Sequence, residues 1–231
     1  MIRSQFWFTS CAAILLLSCG HPPEHYVLPD QVTDFSALYQ ANCSGCHGEN
    51  GRNGAARPLD DPLYLALIGR ERLREVVANG VPHTTMPPFS QNAGGTLTEQ
   101  QISVLADEMQ KRWAQKFVDT TLPPYAAKLG DVTQGEAAFR KYCASCHGED
   151  GNGSVGRSGG SAIDAAYLAL VSDQSLRTTV IAGRSDQGIP NWRSYVPDRA
   201  MSSQEISDVV AWLAAHRTFP GNREKRGTTA Q

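Results

Sequence analysis

Apolar residues along this 231-residue chain recur mainly at steps of three and four, the spacing that places them on one face of an α-helix. This spacing is clearest over Glu71–Asn79 and Gln174–Ala182, and shorter helices are predicted over Asp34–Asn42 and Gly135–Tyr142. Alternation of apolar and polar positions, which would indicate strands, is scarce. The pattern therefore predicts an all-α protein.

Two further helices are predicted to begin at capping boxes. Thr98 is followed three residues later by Gln101, and Ser202 is followed by Glu205. In such a pair the hydroxyl and the later side chain satisfy free backbone N–H groups reciprocally at the start of a helix. Each capping box therefore predicts the first turn of a helix at the C-terminal end of a structural segment.

The chain contains an internal repeat. Tyr39–Gly51 is echoed by Phe139–Gly151, and Tyr64–Ile68 is echoed by Tyr167–Val171. The two copies are about 85 residues long, a size at which a domain buries only a marginal core without a cross-link or cofactor. We predict a signal peptide (1–18) and a tether (19–33), then a first domain (34–117) and a linker (118–131). A second domain (132–217) and a flexible tail (218–231) follow.

The N-terminus predicts export. A positive start at Met1–Arg3 precedes an apolar stretch, Phe6–Leu17, that is shorter than the roughly 20 residues needed to span a bilayer. Leu16–Gly20 resembles a bacterial lipoprotein box, in which Cys19 would be acylated after cleavage. The alternative is an ordinary cleaved signal that happens to contain a cysteine. We predict a location on the periplasmic side of a bacterial membrane, anchored by lipid at Cys19.

Four further cysteines form two Cys-x-x-Cys-His pentads, one in each copy: Cys43, Cys46 and His47, then Cys143, Cys146 and His147. This spacing is that of c-type haem attachment, in which two thiols add to the vinyl groups of one porphyrin and the histidine binds its iron. A thiol redox pair would need a βαβ context, and a zinc ribbon would place its two pairs closer together. The net charge of −2 excludes the strongly basic surface of a nucleic-acid binder.

The order of helix, Cys-x-x-Cys-His-Gly, Gly-rich loop, middle helix, Met-Pro loop and final helix resembles the class I cytochrome c family over both copies. The resemblance implies two tandem cytochrome c-like domains, each wrapped around one covalently bound haem c. It also implies a histidine on one side of each iron and usually a methionine on the other.

In the first copy, Met86 stands where the family carries its axial methionine, and His83 is a weaker candidate. Met86 lies six residues after Gly80, and the residue six places after the matching Gly183 is Ile189, which cannot bind iron. Met201 and Tyr195 are weaker candidates for that sixth position. The second haem is therefore expected to have His147 on one side and an open or unusually filled site on the other.

The family also implies that a carbonyl group after the Gly-rich loop orients each histidine, commonly the carbonyl of a proline. Pro58 fits this role for His47, and Ser161 stands at the matching place in the second copy. The two haems are therefore expected to lie in different environments.

These features predict one-electron transfer rather than catalysis, because the chain lacks nucleotide-binding and nucleophile motifs. The expected partners are redox proteins: a dehydrogenase, a quinol-oxidising complex or a terminal oxidase. The protein would act as a free carrier or as the cytochrome subunit of such a complex. The alternative is a haem peroxidase or a small-ligand-binding protein that uses an open second haem.

Overall fold

The computed structural model describes residues 27–82, 84–114, 121–153 and 159–218. The predicted signal peptide, Cys19, His83, part of the linker and the tail from Phe219 lie outside these ranges. The chain forms two compact units, Met1–Val32 and Thr33–Gln231. The described part of the first unit contains a short 3-10 helix, Pro29–Gln31. The second unit contains both repeats.

The regular structure of the described residues is helical, with three isolated β-bridges and no strand. The prediction of an all-α fold is confirmed. The first repeat contains α1 (Phe35–Asn42), α2 (Ser44–His47), α3 (Pro62–Asn79) and α4 (Glu99–Trp113). The second contains α5 (Val132–Tyr142), α6 (Ala144–His147), α7 (Ala165–Leu170), α8 (Asp173–Ala182) and α9 (Ser203–Ala215). Short 3-10 helices lie at Glu49–Gly51, Gln91–Ala93 and Ser185–Gln187.

No helix in the described ranges is both long enough and apolar enough to cross a membrane.

The capping boxes start the terminal helices as predicted. The Thr98 hydroxyl accepts from the backbone N–H of Gln101, whose side chain accepts in return from the N–H of Thr98. Ser202 and Glu205 form the same reciprocal pair at the start of α9. The repeat is therefore preserved in helix-starting hydrogen bonds as well as in sequence.

The middle helix differs from its prediction and between the repeats. In the first repeat, α3 begins at Pro62, well before Glu71, and it is interrupted at Gly69, whose φ of +67° lies in the left-handed region. In the second repeat this region is two helices, and Ser172 caps the second of them by accepting from Ser175 N–H. A glycine kink in one repeat is thus replaced by a helix cap in the other.

The first and last helices of each repeat pack against each other: α1 on α4, and α5 on α9. The crossing in the second repeat is close at Gly135, where an added Cβ would lie 2.0 Å from the Asp208 carbonyl oxygen and 2.7 Å from the Trp212 Cβ. Only glycine permits this approach without movement of a helix.

A tryptophan from the last helix covers the loop after each pentad. The Trp113 ring would lie 3.1 Å from a Cβ at Gly51, and the Trp212 ring would lie 3.0 Å from a Cβ at Gly151. Both glycines have a positive φ, of +78° and +77°. The two tryptophans occupy different positions within α4 and α9 but produce the same packing. The loop is therefore held by aromatic contact in both repeats.

A buried arginine fixes the linker to the second repeat. Arg177 is 3% exposed, and its Nε and Nη2 donate to the Pro124 carbonyl at 3.0 and 2.9 Å. Its guanidinium also donates to the hydroxyls of Ser203 and Ser207. Every acceptor in this set is neutral, so the position of the linker depends on complete hydrogen bonding of a buried cation.

The close crossing of α5 and α9 predicts that Gly135→Ala destabilises the protein. Alanine favours helix formation by about 1 kcal/mol over glycine, but overpacking of a tight contact costs about 1 to 3 kcal/mol and here acts on backbone atoms. We expect a net loss of about 1 to 2 kcal/mol in the free energy of unfolding, measured by chemical denaturation. Gln134→Ala, on the exposed side of the same helix, is the matched control. A Gly135→Ala protein as stable as this control would contradict the packing argument.

Candidate haem-binding sites

The first pentad is built by one short helix that directly follows α1. The Cys43 N–H donates to the Tyr39 carbonyl at 2.8 Å, which closes α1. The Cys43 carbonyl then accepts from the N–H groups of Cys46 and His47, at 3.2 and 2.9 Å. This turn brings the second cysteine and the histidine back beside the first cysteine. Five consecutive residues therefore form a local site.

The second pentad repeats this geometry. Cys143 N–H donates to the Phe139 carbonyl at 2.8 Å, and the Cys143 carbonyl accepts from Cys146 and His147 at 3.1 and 3.0 Å. Each hydrogen bond of the first site has a counterpart within 0.1 Å. The two sites are thus built by one backbone design.

A glycine ends each pentad helix. Gly48 and Gly148 have φ values of +76° and +79°, in the region that favours glycine. A Cβ at Gly48 would lie 1.9 Å from the Arg52 carbonyl oxygen, so no larger residue fits this turn. The turn directs the following loop back towards the histidine.

The four pentad thiols are free cysteines. Burial, with a smaller effect of the neighbouring cysteine, raises the pKa of the Cys43 thiol to about 12, and that of Cys143 likewise to about 12. A redox-active Cys-x-x-Cys pair needs a lowered thiol pKa, so this environment does not suit one. Within the described ranges, no three His, Cys, Asp or Glu side chains meet at the spacing of a metal site.

Each histidine is oriented by a backbone carbonyl. His47 Nδ1 lies 2.7 Å from the Arg57 oxygen, and His147 Nδ1 lies 2.6 Å from the Gly160 oxygen. A carbonyl oxygen can only accept, so Nδ1 carries the proton and the lone pair of Nε2 remains for a metal. Burial is the largest effect on His47 and lowers its pKa, which favours the neutral imidazole that iron binds.

The identity of these carbonyls corrects the prediction. Pro58 and Ser161 were expected to provide them, but the residue before each one does so. Pro58 restricts the preceding Arg57 to an extended backbone. The proline therefore acts on the conformation of its neighbour, whose carbonyl meets the imidazole.

Met86 and Ile189 occupy the same place in the two backbones. The Met86 carbonyl accepts from Val81 N–H at 3.1 Å, and the Ile189 carbonyl accepts from Arg184 N–H at 2.9 Å. The glycine before each of these donors has a positive φ, and its Cβ would lie 2.6 Å from the Met86 or Ile189 oxygen. The alignment of the two residues in the sequence is therefore reproduced in the structure.

The other candidates for the second sixth position have structural partners of their own. Met201 is 3% exposed, and its N–H donates to the Trp192 carbonyl, as Leu97 N–H donates to the Phe89 carbonyl in the first repeat. This is a packing position before the last helix.

The Tyr195 hydroxyl donates to the Val180 carbonyl at 3.2 Å. Burial raises the pKa of Tyr195, and the nearby Cys143 thiol raises it further. His83, the weaker candidate of the first repeat, lies outside the described ranges.

The donor set fits a covalent haem in each repeat. Two free thiols stand one helical turn apart, and an imidazole beside them is held with Nε2 unprotonated. Sequence reasoning missed Arg57 and Gly160, the residues whose carbonyls hold the two imidazoles. The only signal in the sequence is Pro58, which follows Arg57 and restricts the backbone of the residue before it.

Comparison with known proteins agrees with this fit. The model of the family "Cytochrome C oxidase, cbb3-type, subunit III" matches residues 30–107 and 130–213, one region for each repeat. The cbb3-type cytochrome c oxidase subunit FixP of Sinorhizobium medicae is 29% identical over 154 residues, 63% of this chain and 48% of that protein. The subunit CcoP of Cereibacter sphaeroides is 28% identical over 182 residues, 74% of this chain and 58% of that protein.

This chain therefore spans about half the length of the curated relatives that it matches. Among solved structures, a chain of the reducing HAO-like protein complex Kustc0457/Kustc0458 of Kuenenia stuttgartiensis aligns with a TM-score of 0.48 and 18% identity. The alignment covers 84% of this chain and 100% of that one.

The equivalence of Met86 and Ile189 predicts that sulfur ligation can be removed from one site and added to the other. We expect Met86→Ala to lose the near-infrared band of a sulfur-ligated ferric low-spin haem, and Ile189→Met to increase that band, because both backbones present this position alike. Near-infrared absorption of the oxidised protein measures both effects. Persistence of the band in Met86→Ala would move the ligand elsewhere, with Met201→Ala the next variant to test.

Proposed function

This chain belongs to the cbb3-type cytochrome c oxidase subunit III family of c-type cytochromes, and we propose that it transfers single electrons through two haems, one in each repeat. When bound, each haem supplies an iron that gains and loses one electron. The chain supplies the covalent attachment, the axial imidazole and the protein environment that sets the potential.

One observation carries this proposal: both repeats build the same pentad turn and hold its histidine by a carbonyl. In the first repeat Cys43 and Cys46 are the thiols to be joined to a haem, and His47 is its axial ligand. In the second repeat Cys143, Cys146 and His147 have these roles. A protein with a single active centre would have no need to conserve the second turn, glycine and carbonyl together.

The two axial positions give the repeats different electronic properties in this proposal. A thioether from Met86 favours ferrous iron and raises the reduction potential of the first haem. Ile189 offers only a hydrocarbon side chain at the matching place, and it is half-buried there. The second haem would therefore have a different potential and spin state, which gives electron flow through the chain a direction.

The likeness to FixP and CcoP supports a complex subunit over a free carrier. Both relatives are named as subunits of a cbb3-type cytochrome c oxidase, a terminal oxidase. We propose that this chain works on the periplasmic side of a membrane and passes electrons to or from a redox complex of this class. A dehydrogenase or a quinol-oxidising complex would stand on the other side of the transfer.

Ile189 favours one second candidate function. A haem without a sixth protein ligand can bind a small molecule or react with peroxide. This haem peroxidase or small-ligand-binding activity would belong to the second repeat alone, because the first has Met86.

A haem count with a reductive titration tests the proposal. We expect purified protein from a host that matures c-type cytochromes to carry two covalent haems, and Cys143→Ala/Cys146→Ala to carry one. Mass spectrometry and the absorption of the reduced haem measure this number. Colourless protein of the processed polypeptide mass would contradict the proposal.

Carbon monoxide added to the reduced protein then separates the two functions: binding with peroxide turnover supports the peroxidase, and no binding supports the pure carrier.

The proposed anchor at Cys19 has a separate test. Acylation of this cysteine would hold the folded repeats at a membrane surface, so Cys19→Ala should move the protein from the membrane fraction to the soluble fraction. Immunoblots of fractionated cells measure the distribution. Cys11→Ala, within the predicted signal peptide, is the matched control and should change nothing. Unchanged fractionation of Cys19→Ala would contradict lipid anchoring.

A further inference from the structure

The side chain of Arg57 connects the two repeats. It reaches from the loop that holds His47 to the C-terminal end of α8 in the second repeat. Nη1 donates to the Gly183 carbonyl at 3.0 Å, and Nη2 donates to the Thr179 hydroxyl at 3.0 Å. The guanidinium thus joins residues more than 120 positions apart in the chain. Its two donors engage two acceptors at once, which uses the planar fork geometry of arginine.

The backbone carbonyl of Arg57 also holds His47, the axial histidine of the first site. Gly183, which accepts from the Arg57 side chain, is followed by Arg184, whose N–H donates to the Ile189 carbonyl. Three hydrogen bonds and short covalent segments form the connection: His47 Nδ1 to the Arg57 oxygen at 2.7 Å, Arg57 Nη1 to the Gly183 oxygen at 3.0 Å, and Arg184 N–H to the Ile189 oxygen at 2.9 Å. The path begins at an imidazole ligand and ends at the sixth position of the other repeat.

This connection lies in a charged part of the interface. The Arg57 guanidinium is 5.2 Å from the centre of the Tyr64 ring, and burial lowers the pKa of Arg57, although arginine remains charged at neutral pH. Arg184, the residue after Gly183, forms an ion pair with Asp186 at 2.7 Å. The contact between the repeats therefore includes the guanidinium groups of Arg57 and Arg184 and the carboxylate of Asp186.

The repeats are not symmetric here. The position that matches Arg57 in the second repeat is Gly160, which has no side chain. The position that matches Thr179 in the first repeat is Val76, whose side chain cannot accept a hydrogen bond. The connection is therefore a feature of this pair of repeats and not a general property of the repeated fold.

We propose that Arg57 is a positioning residue that couples the two haem sites, so that the reduction potential of each depends on the oxidation state of the other. It fixes the orientation of His47 through its carbonyl and the Ile189 loop through its guanidinium. One electron passes from one iron to the other with no bond made or broken, so the first is oxidised as the second is reduced. This inference rests on the proposed function, because it requires haem in both pentads.

The fixed charge has a predictable sign. A nearby cation stabilises the reduced iron, which carries one positive charge less than the oxidised iron. Removing the guanidinium in Arg57→Ala should therefore lower the potential of the first haem. The backbone carbonyl remains in this variant, so ligation by His47 is expected to persist.

Potentiometric titration of the dihaem protein, followed by absorption and electron paramagnetic resonance, is the test. At a fixed ambient potential, we expect Arg57→Ala to lower the ratio of reduced to oxidised first haem by about tenfold, which is about 59 mV for a one-electron couple. The matched control is Arg52→Ala, in the same loop, because the Arg52 side chain is 61% exposed and pairs with Asp60, so solvent and this carboxylate both screen its charge. Equal ratios in the two variants would overturn the electrostatic part of the proposal.

Two further variants test the coupling itself. Thr179→Val removes one acceptor and introduces valine, the residue at the matching position 76 of the first repeat. Arg57→Lys keeps the charge but lacks the fork that reaches two acceptors. Both should keep the ratio of reduced to oxidised first haem within about twofold of the parent, while reducing the dependence of the second potential on the oxidation state of the first haem. Faster hydrogen exchange over residues 179–189 should accompany this loss.

The double variant completes a mutant cycle, and non-additive effects of Arg57→Lys and Thr179→Val are expected because the two side chains are in direct contact. Unchanged coupling in both single variants would overturn the proposal even if Arg57→Ala fails to mature. Failure of the coupling can be told apart from failure of the proposed function. Protein without two haems rejects the function, whereas dihaem protein with independent potentials rejects only the coupling.

Discussion

The structure of each repeat depends on a hydrogen bond between the pentad histidine and a loop carbonyl. This bond uses the Nδ1 proton, so Nε2 is the only nitrogen left to bind a metal. It also requires the loop to return to the helix from which it left. The positive φ of Gly48 and Gly148 reverses the chain, and Trp113 and Trp212 cover the returning loop. The last helix thus contributes to the site through packing.

Around the pentads and the loops of Met86 and Ile189, the two repeats keep matching backbone hydrogen bonds and change their side chains. The hydrogen-bond distances of each pentad turn agree within 0.1 Å, whereas the matching place in the later loop has Met86 in one copy and Ile189 in the other. The shared backbone geometry would place two haems alike, and the side chains that differ would set the difference between them under the proposed function. Two centres of equal potential would give an electron no preferred direction, so the substitution at Ile189 is the more informative departure from the repeat.

The sequence was sufficient for features that depend on near neighbours. The capping boxes and the pentad turns involve residues three or four apart, and both are found as predicted. Periodicity missed the start of α3 because its first turns, Leu63–Ile68, are buried on almost every side and show no polar face. The carbonyl that holds His47 belongs to the residue before the predicted one, because the loop conformation decides which oxygen meets the ring. The contact of Arg57 with the second repeat has no local pattern at all.

The chemistry of that contact argues for more than docking. An apolar pair would join two helical repeats at lower cost, because moving a guanidinium out of water is unfavourable unless every donor is satisfied. The described hydrogen bonds of Arg57 reach two neutral acceptors, Thr179 on α8 and Gly183 just after it, and neither acceptor neutralises its charge. The guanidinium therefore remains charged between the loop that holds His47 and the C-terminal end of α8. A side chain placed for adhesion alone would not need that charge.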